Sequence, residues 1–368
     1  MGNDENRQLL ERAGQFLQTR LPSAWKVELA RVAPDEDEGW VLALRGGSST
    51  ASFVVEPRMS LTPRDIETSL ASPSFRRLRA RSGQSLIVIA PYLSPRSREL
   101  LAREDISYLD LTGNVRILSE YPAVWIQQEG ARNDPTAKQR PSRGVRGAAA
   151  GKLVRVLVDV RPPYGVTELS QVARVDAGYA SRVLETLEAE ALVDRGRRGR
   201  VIDTDWELLL RQRARAVDLL NPRESISYVA PDDAMATFAR LDRLAQQEAV
   251  VTGSLAASRI APVAAPVLLA LYTLRDRDEI AERLNLLPVS EGANVVLIRP
   301  QNTGPFFNAV PSPPVMFAAP SQTVIDCLSG NGRMPAEGEA VLEWMRQDQN
   351  AWRAESLDAA TWPPWVQR

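Results

Sequence analysis

Residues 147–206 restrict the fold of this chain of 368 residues more than any other stretch, because their pattern changes from helical to hairpin in a fixed order. In the segment AAAGKLVRVLVDV, Leu153, Leu157 and Val160 fall at i, i+4 and i+7. This spacing places one apolar stripe on a helix, which we expect to end at Arg161 because two prolines follow it. The stretch therefore begins with an amphipathic helix.

Two further helices are predicted after the first one. Thr167 is expected to cap a short helix over residues 167–173, and Asp176 is expected to cap a third helix after a tight turn. The inward residues of the second helix are Leu169, Val172 and Ala173. The inward residues of the third helix are Ala180, Val183, Leu184, Leu187 and Ala191. Its N-terminal half then points five residues outward, which are Gly178, Tyr179, Ser181, Arg182 and Glu185.

A basic hairpin is predicted directly after the third helix. In VDRGRRGRVID, apolar residues flank a glycine-rich turn. The hairpin contains four cations, Arg195, Arg197, Arg198 and Arg200. Arginine suits phosphate contact or insertion into a minor groove, because its planar guanidinium can form two parallel hydrogen bonds. A solvated surface turn is the alternative for the hairpin alone, but helix, turn, helix and hairpin in this order favour DNA binding.

The module resembles the winged helix-turn-helix domains of MarR-type bacterial regulators, notably in GYASRVLETLEAEALVDRGRRGRV. The resemblance implies binding of double-stranded DNA, with the N-terminal half of the third helix in the major groove. The expected DNA-binding residues are Thr167, Gly178, Tyr179, Ser181, Arg182, Arg195, Arg197, Arg198 and Arg200. Local charge agrees, since residues 138–221 hold sixteen Lys and Arg against eleven Asp and Glu, whereas the whole chain has a net charge of −1.

Missing residue types exclude several kinds of site. The chain has no histidine and one cysteine, Cys327, so internal disulfides, histidine-based zinc sites and Ser-His-Asp or Cys-His triads are excluded. The N-terminus has no basic segment followed by an apolar run, and no stretch reaches the apolar length of a membrane-spanning helix. We therefore expect a cytoplasmic protein that contacts no membrane and uses no cofactor or metal ion.

An α/β domain is predicted over residues 1–132. The pattern indicates a helix over 5–21, strands over 25–32, 39–45 and 51–56, a helix over 62–70, a strand over 86–91, a helix over 94–103 and a strand over 106–111. This order resembles the core of the restriction-endonuclease-like PD-(D/E)xK superfamily, in which a strand-borne acid and an E-x-K motif hold a metal ion. Glu56, Pro57 and Arg58 stand where E-x-K would lie.

The nuclease motif is incomplete, which predicts a nuclease-like fold without nuclease activity. Arg58 replaces the lysine, and the strand GWVLALRG that precedes Glu56 carries no acid. One carboxylate is not enough to hold a catalytic metal ion. An active nuclease is the alternative, because Asp110 or an acidic turn could supply a second carboxylate. The acidic turn consists of Asp35, Glu36, Asp37 and Glu38.

Two polar groups of residues in this domain are secondary candidates. Asp110, Thr112 and Asn114 alternate in YLDLTGNVRI, which favours side chains that satisfy backbone groups at a strand crossing over a ligand site. An arginine cluster that could contact phosphates consists of Arg76, Arg77, Arg79 and Arg81. Exposed arginine runs are usually only solvated, so this cluster is the weaker candidate.

The polar stretch 133–146 is predicted to be a linker, residues 207–224 a connecting helix, and residues 225–345 a third domain. In that domain AVVTGSLAASRI predicts a strand, then Gly253 and Ser254, then a helix, which resembles the opening of nucleotidyltransferases. These enzymes carry an acid pair on the next strand, but the strand in PVLLALYT is uncharged. We expect no transferase activity, and a shifted strand that recruits Asp276 and Asp278 is the alternative.

A family resemblance rests on the order of these segments. A winged helix followed by TGSLAAS, EGANVVLIRP and SQTVIDCLSGNGRMPAEGEAVLEWM is similar to AbiEi-type antitoxins of type IV toxin-antitoxin systems. The resemblance implies a winged helix that represses its own operon and a C-terminal domain reminiscent of nucleotidyltransferases. Residues 346–368 form a tail whose tryptophans, such as Trp352 and Trp362, are expected to dock on a domain or on a partner.

These patterns predict an α/β multidomain protein that binds double-stranded DNA as a transcriptional regulator. Its domains are a restriction-endonuclease-like α/β domain, a central winged helix-turn-helix and a nucleotidyltransferase-like α/β domain. We expect the flanking domains to serve sensing, assembly or partner binding. The alternatives are a DNA-processing enzyme directed by the winged helix and an antitoxin with a cognate toxin, and the sequence leaves a homodimer open.

Overall fold

The computed structural model describes residues 2–31, 39–72, 85–131, 134–135, 147–241, 249–313 and 315–367, with the backbone alone for residues 2, 3, 71, 364 and 367. The chain is a mixed α/β protein with two compact units. Unit 1 comprises Met1–Pro141 and Ala189–Ala191, and unit 2 comprises Ser142–Glu188 and Leu192–Arg368. Among the helices in these described ranges, none has the length and apolar character needed to cross a membrane.

Unit 1 contains one seven-stranded sheet. Its described helices are α1 Gly2–Gln18, α2 Pro63–Ala71 and α3 Pro95–Arg103. Its strands are β1 Trp25–Arg31, β2 Trp40–Gly46, β3 Ser49–Pro57, β4 Ser85–Ala90, β5 Ser107–Asp110, β6 Val115–Ser119 and β7 Val124–Gln128. The strands lie side by side in chain order. The β3, β4 and β5 strands are parallel, and all other neighbours are antiparallel.

Helices cover both faces of this sheet, because successive side chains of a strand point to opposite faces. On β4, Ile87 and Ile89 pack with Leu10 of α1, whereas Val88 packs with Ile66 of α2. The continuous apolar run LIVIA is therefore a strand that is buried on both faces.

The last two strands of unit 1, β6 and β7, were not predicted from the sequence. YLDLTGNVRI is not a single strand, since β5 ends at Asp110 and residues 111–114 turn the chain into β6. The Oδ1 atom of Asp110 accepts hydrogen bonds from the backbone N–H groups of Thr112 at 2.9 Å and Asn114 at 3.1 Å. Asp110 therefore closes a turn, as the favoured interpretation of this motif predicts. The helix predicted over 5–21 ends at Gln18.

Several predicted features lie outside the described residues. They are the acidic turn from Asp35 to Glu38, the arginine cluster at positions 76, 77, 79 and 81, and all of the predicted linker except residues 134–135.

Unit 2 combines a small hairpin with a second seven-stranded sheet. Its described helices are α4 Ala148–Asp159, α5 Val166–Ala173, α6 Ala177–Ala189, α7 Trp206–Ala214, α8 Ala234–Ala239, α9 Gly253–Ile260, α10 Arg277–Leu284, α11 Pro320–Leu328 and α12 Met334–Gln347. The hairpin strands are β8 Val193–Arg195 and β9 Val201–Thr204. The remaining strands are β10 Ser225–Val229, β11 Ala249–Thr252, β12 Leu269–Thr273, β13 Leu287–Pro288, β14 Val295–Ile298, β15 Val310–Ser312 and β16 Val315–Phe317. Their order across the sheet is β13-β10-β14-β12-β11-β16-β15.

A shared hydrophobic core joins the predicted winged-helix segment of unit 2 to the helices that pack on its seven-stranded sheet. One cluster of buried side chains contains Leu157 of α4, Leu184 of α6, Val324 of α11 and Val341 of α12. The α4 helix has buried residues on nearly every side, including Arg155, because α7 and α11 also pack against it. The three residues of the predicted stripe, Leu153, Leu157 and Val160, are buried, but the helix is also buried on its other sides. The three-domain division stays a prediction.

Candidate nucleic-acid interface

The second helix of the predicted DNA-binding module begins one residue earlier than the sequence indicates. The α5 helix starts at Val166, and the carboxylate of Glu168 accepts a hydrogen bond from the backbone N–H of Gly165 at 2.7 Å. Thr167 is thus not the cap, because the Glu168 side chain reaches back and satisfies the start of the helix. The Thr167 side chain is exposed on the first turn of α5.

The third helix, α6, has one buried side and one exposed side. The Oδ1 atom of Asp176 accepts a hydrogen bond from the backbone N–H of Tyr179 at 2.8 Å, which confirms the predicted cap. The predicted inward residues Ala180, Val183, Leu184 and Leu187 are buried. Ala191, the fifth residue of that prediction, lies beyond the end of α6 at Ala189 and has a left-handed backbone, at φ 54°. The predicted outward residues divide into Gly178, Arg182 and Glu185, which are exposed, and Tyr179 and Ser181, which are half-buried. The packing of α6 therefore leaves its N-terminal half open to a ligand.

The turn between α5 and α6 is held by the C-terminal tail. Arg174 ends α5 with a left-handed backbone, at φ 54°. Its guanidinium carbon lies 4.6 Å from the ring centroid of Trp362, and the indole N–H of Trp362 donates to the backbone oxygen of Val172 at 3.0 Å. The tail thus docks on the predicted winged-helix segment within unit 2, and this contact fixes the start of α6 relative to the core.

The β8–β9 hairpin, here called the wing, presents fewer open cations than the sequence predicts. Arg195 is mostly buried; its Nε donates to the backbone oxygen of Gly199 at 3.1 Å, and its Nη1 lies 3.5 Å from the Glu188 carboxylate. Arg200 donates to the backbone oxygen of Pro163 at 3.3 Å. Two of the four expected cations are therefore used to build the wing.

The remaining two cations, Arg197 and Arg198, form the tip of the wing. Both side chains are exposed, and neither forms a hydrogen bond or ion pair with any residue that the structure describes. Gly199 follows with φ 70°, and a side chain there would meet the Arg195 guanidinium at 2.6 Å. Glycine at this position therefore leaves room for the Arg195 side chain to fold inward, while Arg197 and Arg198 point into solvent.

The candidate nuclease motif in unit 1 forms an internal ion pair. Arg58 contacts the Glu56 carboxylate at 2.7 Å at the end of β3. Both carboxylate oxygens of Asp110, the proposed second acid, accept hydrogen bonds, among them one from the backbone N–H of Leu93 at 3.0 Å. Within the described ranges, no group of three or more Asp, Glu or Cys side chains has the geometry to hold a metal ion.

The segment that resembles a nucleotidyltransferase opening is also bonded internally. The Ser254 hydroxyl donates to the carboxylate of Glu337 at 2.5 Å, and both residues are buried. The next strand, β12, is uncharged and ends at Thr273. Asp276 caps the α10 helix by accepting from the backbone N–H of Asp278 at 2.8 Å. The two acids that follow β12 therefore lie at a helix start and not on the strand.

A buried polar network that the sequence analysis missed crosses unit 2. Arg155 of α4 donates to Asp159 at 2.6 Å and to the side-chain oxygen of Gln322 at 2.8 Å. Gln322 donates to Asp326 at 2.8 Å, and Asp326 also accepts from the hydroxyl of Tyr272 at 2.8 Å. The signal was present in the sequence, because polar residues four positions apart on the two apolar helices α4 and α11 can share one buried partner.

Burial sets the protonation behaviour of this network. Removal from water raises the pKa of the Asp326 carboxyl to about 6, against the lowering effect of hydrogen bonds from Thr252, Tyr272 and Gln322. The pKa of the Tyr272 hydroxyl is also raised, mainly by burial and further by the nearby Asp326 charge. The network therefore carries a carboxyl group that titrates closer to neutrality than an exposed aspartate does.

Comparison of the chain with models of protein families, with curated proteins and with solved structures gave no match.

Proposed function

We propose that this protein binds double-stranded DNA through α6 and the wing and acts as a transcriptional regulator. The observation that carries the proposal is the contrast between the two sides of this module. Its inward side is part of the unit 2 core, whereas Arg182, Arg197 and Arg198 are exposed, and their guanidinium groups have no protein partner among the described residues. Charged side chains of this kind are available to phosphates and base edges.

The proposed roles of these residues differ. Arg182 lies on the exposed side of α6, where a guanidinium can form two hydrogen bonds with a guanine in the major groove. Gly178 lies one helical turn before it and carries no side chain, which suits close approach of the DNA backbone. Arg197 and Arg198 on the wing suit phosphate contact, which carries affinity without sequence preference.

We propose that the flanking segments have no catalytic role and serve sensing, assembly or partner binding. The β1–β3 meander followed by the parallel β4 is the strand order expected for a PD-(D/E)xK-like core, and the Glu56–Arg58 pair is the observation that favours an inactive one. The uncharged β12 favours an inactive transferase-like domain in the same way. These features are compatible with an AbiEi-like antitoxin, for which a cognate toxin would be the protein partner.

The decisive experiment is selection of bound fragments from genomic DNA with the full-length protein. We expect one family of sequences to be enriched and to bind more tightly than random duplex of the same length. Arg283→Ala is the control variant and should enrich the same sequences as wild type, because this exposed arginine lies on α10 and pairs with Glu279. Failure to enrich any sequence, with uniform binding of all duplexes, would refute the proposed regulator.

The same preparation distinguishes the DNA-processing alternative. With magnesium or manganese present, we expect supercoiled and linear DNA to remain uncut. Cleavage that requires the metal and disappears in Glu56→Gln would make the nuclease the correct function, because a neutral amide cannot replace a carboxylate ligand of a hard cation.

A further inference from the structure

The sheet of unit 1 has two edges, and the chain protects one of them. An edge strand presents unpaired backbone groups that can pair with another strand. On β1, the side chain of Gln18 donates to the backbone oxygen of Trp25 at 2.9 Å and accepts from the backbone N–H of Val27 at 2.9 Å. Charged Lys26 and Glu28 are exposed on the same strand. The β1 edge is therefore blocked by a covering side chain and by charge.

Among the residues that the structure describes, the opposite edge, β7, has neither form of protection. The strand Val124–Gln128 contains no charged residue. Outside its pairing with β6, no backbone–backbone hydrogen bond of residues 124–128 occurs in the described part of the chain. Trp125 is 63% exposed, and Tyr121 in the turn before β7 is 92% exposed. An uncharged edge that no described residue pairs, beside two exposed aromatic side chains, is a surface suited to strand pairing.

We propose that β7 pairs in antiparallel fashion with β7 of a second copy of this chain. The register that places Ile126 opposite Ile126 is the one that pairs all five residues of both strands. It also places Trp125 opposite Gln127 and Val124 opposite Gln128. No like charges meet, and the exposed Trp125 rings gain a covering strand. The contact is the same on both copies, as a two-fold dimer requires.

The lack of charge on β7 favours a second copy of this chain over a charged strand from another protein. A self-pairing strand must avoid like charges opposite each other, and an uncharged strand meets that condition in every register. A site for a foreign charged peptide would carry complementary charge, and β7 carries none. The proposal does not depend on DNA binding.

Cross-linking tests the proposed register directly. In the paired strands the two Ile126 Cα atoms would lie about 4.5 to 5.5 Å apart, which a disulfide can span. The native Cys327 is fully buried and burial raises the pKa of its thiol, so it does not compete. We expect Ile126→Cys to give a covalent dimer on mild oxidation. Lys26→Cys on the β1 edge is the matched control and should form no covalent dimer, although it still pairs through β7.

Sedimentation over a concentration series provides the second measurement. We expect wild type to reach twice its monomer mass of 40.6 kDa. Gln127→Lys should weaken the dimer by about tenfold, since an edge lysine opposes strand pairing, while Ala30→Lys on β1 should not. A monomer at all concentrations would overturn the proposal. So would a dimer that neither Gln127→Lys weakens nor Ile126→Cys cross-links, or an edge occupied only by a different protein.

Discussion

The wing offers the sharpest quantitative test of the proposed DNA contact. Arg197→Gln combined with Arg198→Asn removes both exposed cations of the tip. Asparagine is chosen for position 198 because that residue has a left-handed backbone, with φ 59°, which asparagine tolerates better than alanine. Arg195→Gln is the control within the same hairpin, since it removes one charge but keeps a side-chain donor for the backbone oxygen of Gly199.

The expected magnitude follows from the number of open cations. Each phosphate contact contributes about 0.9 to the slope of log K against log salt concentration. Loss of two contacts should reduce that slope by about 1.8, so that wild-type affinity falls roughly twelvefold more than that of the variant between about 50 and 200 mM salt. For Arg195→Gln we expect no change, because this side chain faces Glu188 and Gly199 and is only 14% exposed.

Fluorescence anisotropy with a labelled duplex at several salt concentrations measures these slopes. The test should use both a selected sequence and a random one, because wing contacts are expected to weaken both alike. An unchanged slope in the double variant would remove the wing tip from the interface. A reduction of the slope by about 0.9 in Arg195→Gln would show that the internal contacts of Arg195 do not hold it away from DNA.

Three further predictions concern α6, the tail and the buried network. Arg182→Ala should cost about 1 to 3 kcal/mol of preference for the selected sequence, and equal preference in a competition titration would contradict this. Trp362→Ala should lower the free energy of unfolding by about 2 kcal/mol in denaturant titration. Trp362→Phe should lower it by about 1 kcal/mol, because it keeps an aromatic ring beside Arg174 and Phe307 but loses part of the indole and the hydrogen bond to Val172. In the folded state the pKa of Asp326 is about 6, above its ordinary value of 3.8, so between these pH values the folded state binds more protons than the unfolded state. The free energy of unfolding should therefore fall by about 3 kcal/mol as pH rises from about 4 through 6. Asp326→Asn should abolish this dependence, and a slope that persists in this variant would assign it to another group.

Local sequence patterns predicted most elements but not how they pack. Strand β4 was predicted from an apolar run, and the cap of α6 was predicted from Asp176. Both signals depend only on residues that are close together in the sequence. Strands β6 and β7 were not predicted, because the turn before β6 is closed by hydrogen bonds to the Asp110 side chain. Such a turn leaves no periodic pattern in the sequence. Periodicity identifies a helix or strand only where apolar residues recur on one face, and a buried polar turn interrupts that recurrence.

The wing shows the same limit for the candidate interface. Four arginines within six residues predicted four open cations, and composition could not distinguish them. The division between Arg195 and its neighbours depends on the left-handed Gly199, which brings a backbone oxygen within reach of the Arg195 side chain. Which cation faces inward is thus a property of the folded turn and not of its charge.

The burial of α4 changes how the proposed regulator would work. Its first helix contributes Arg155 to a network that ends at Asp326, and its last residues are bonded to the tail, where the backbone N–H of Ala354 donates to the oxygen of Asp159 at 2.8 Å. Removing one member of such a network leaves a buried charge without its partner, which is more costly than losing an exposed contact. Displacement of the tail would break the Ala354 hydrogen bond to the end of α4 and the Trp362 hydrogen bond beside the turn before α6. The tail is in this way physically linked, within unit 2, to the helix proposed to contact DNA.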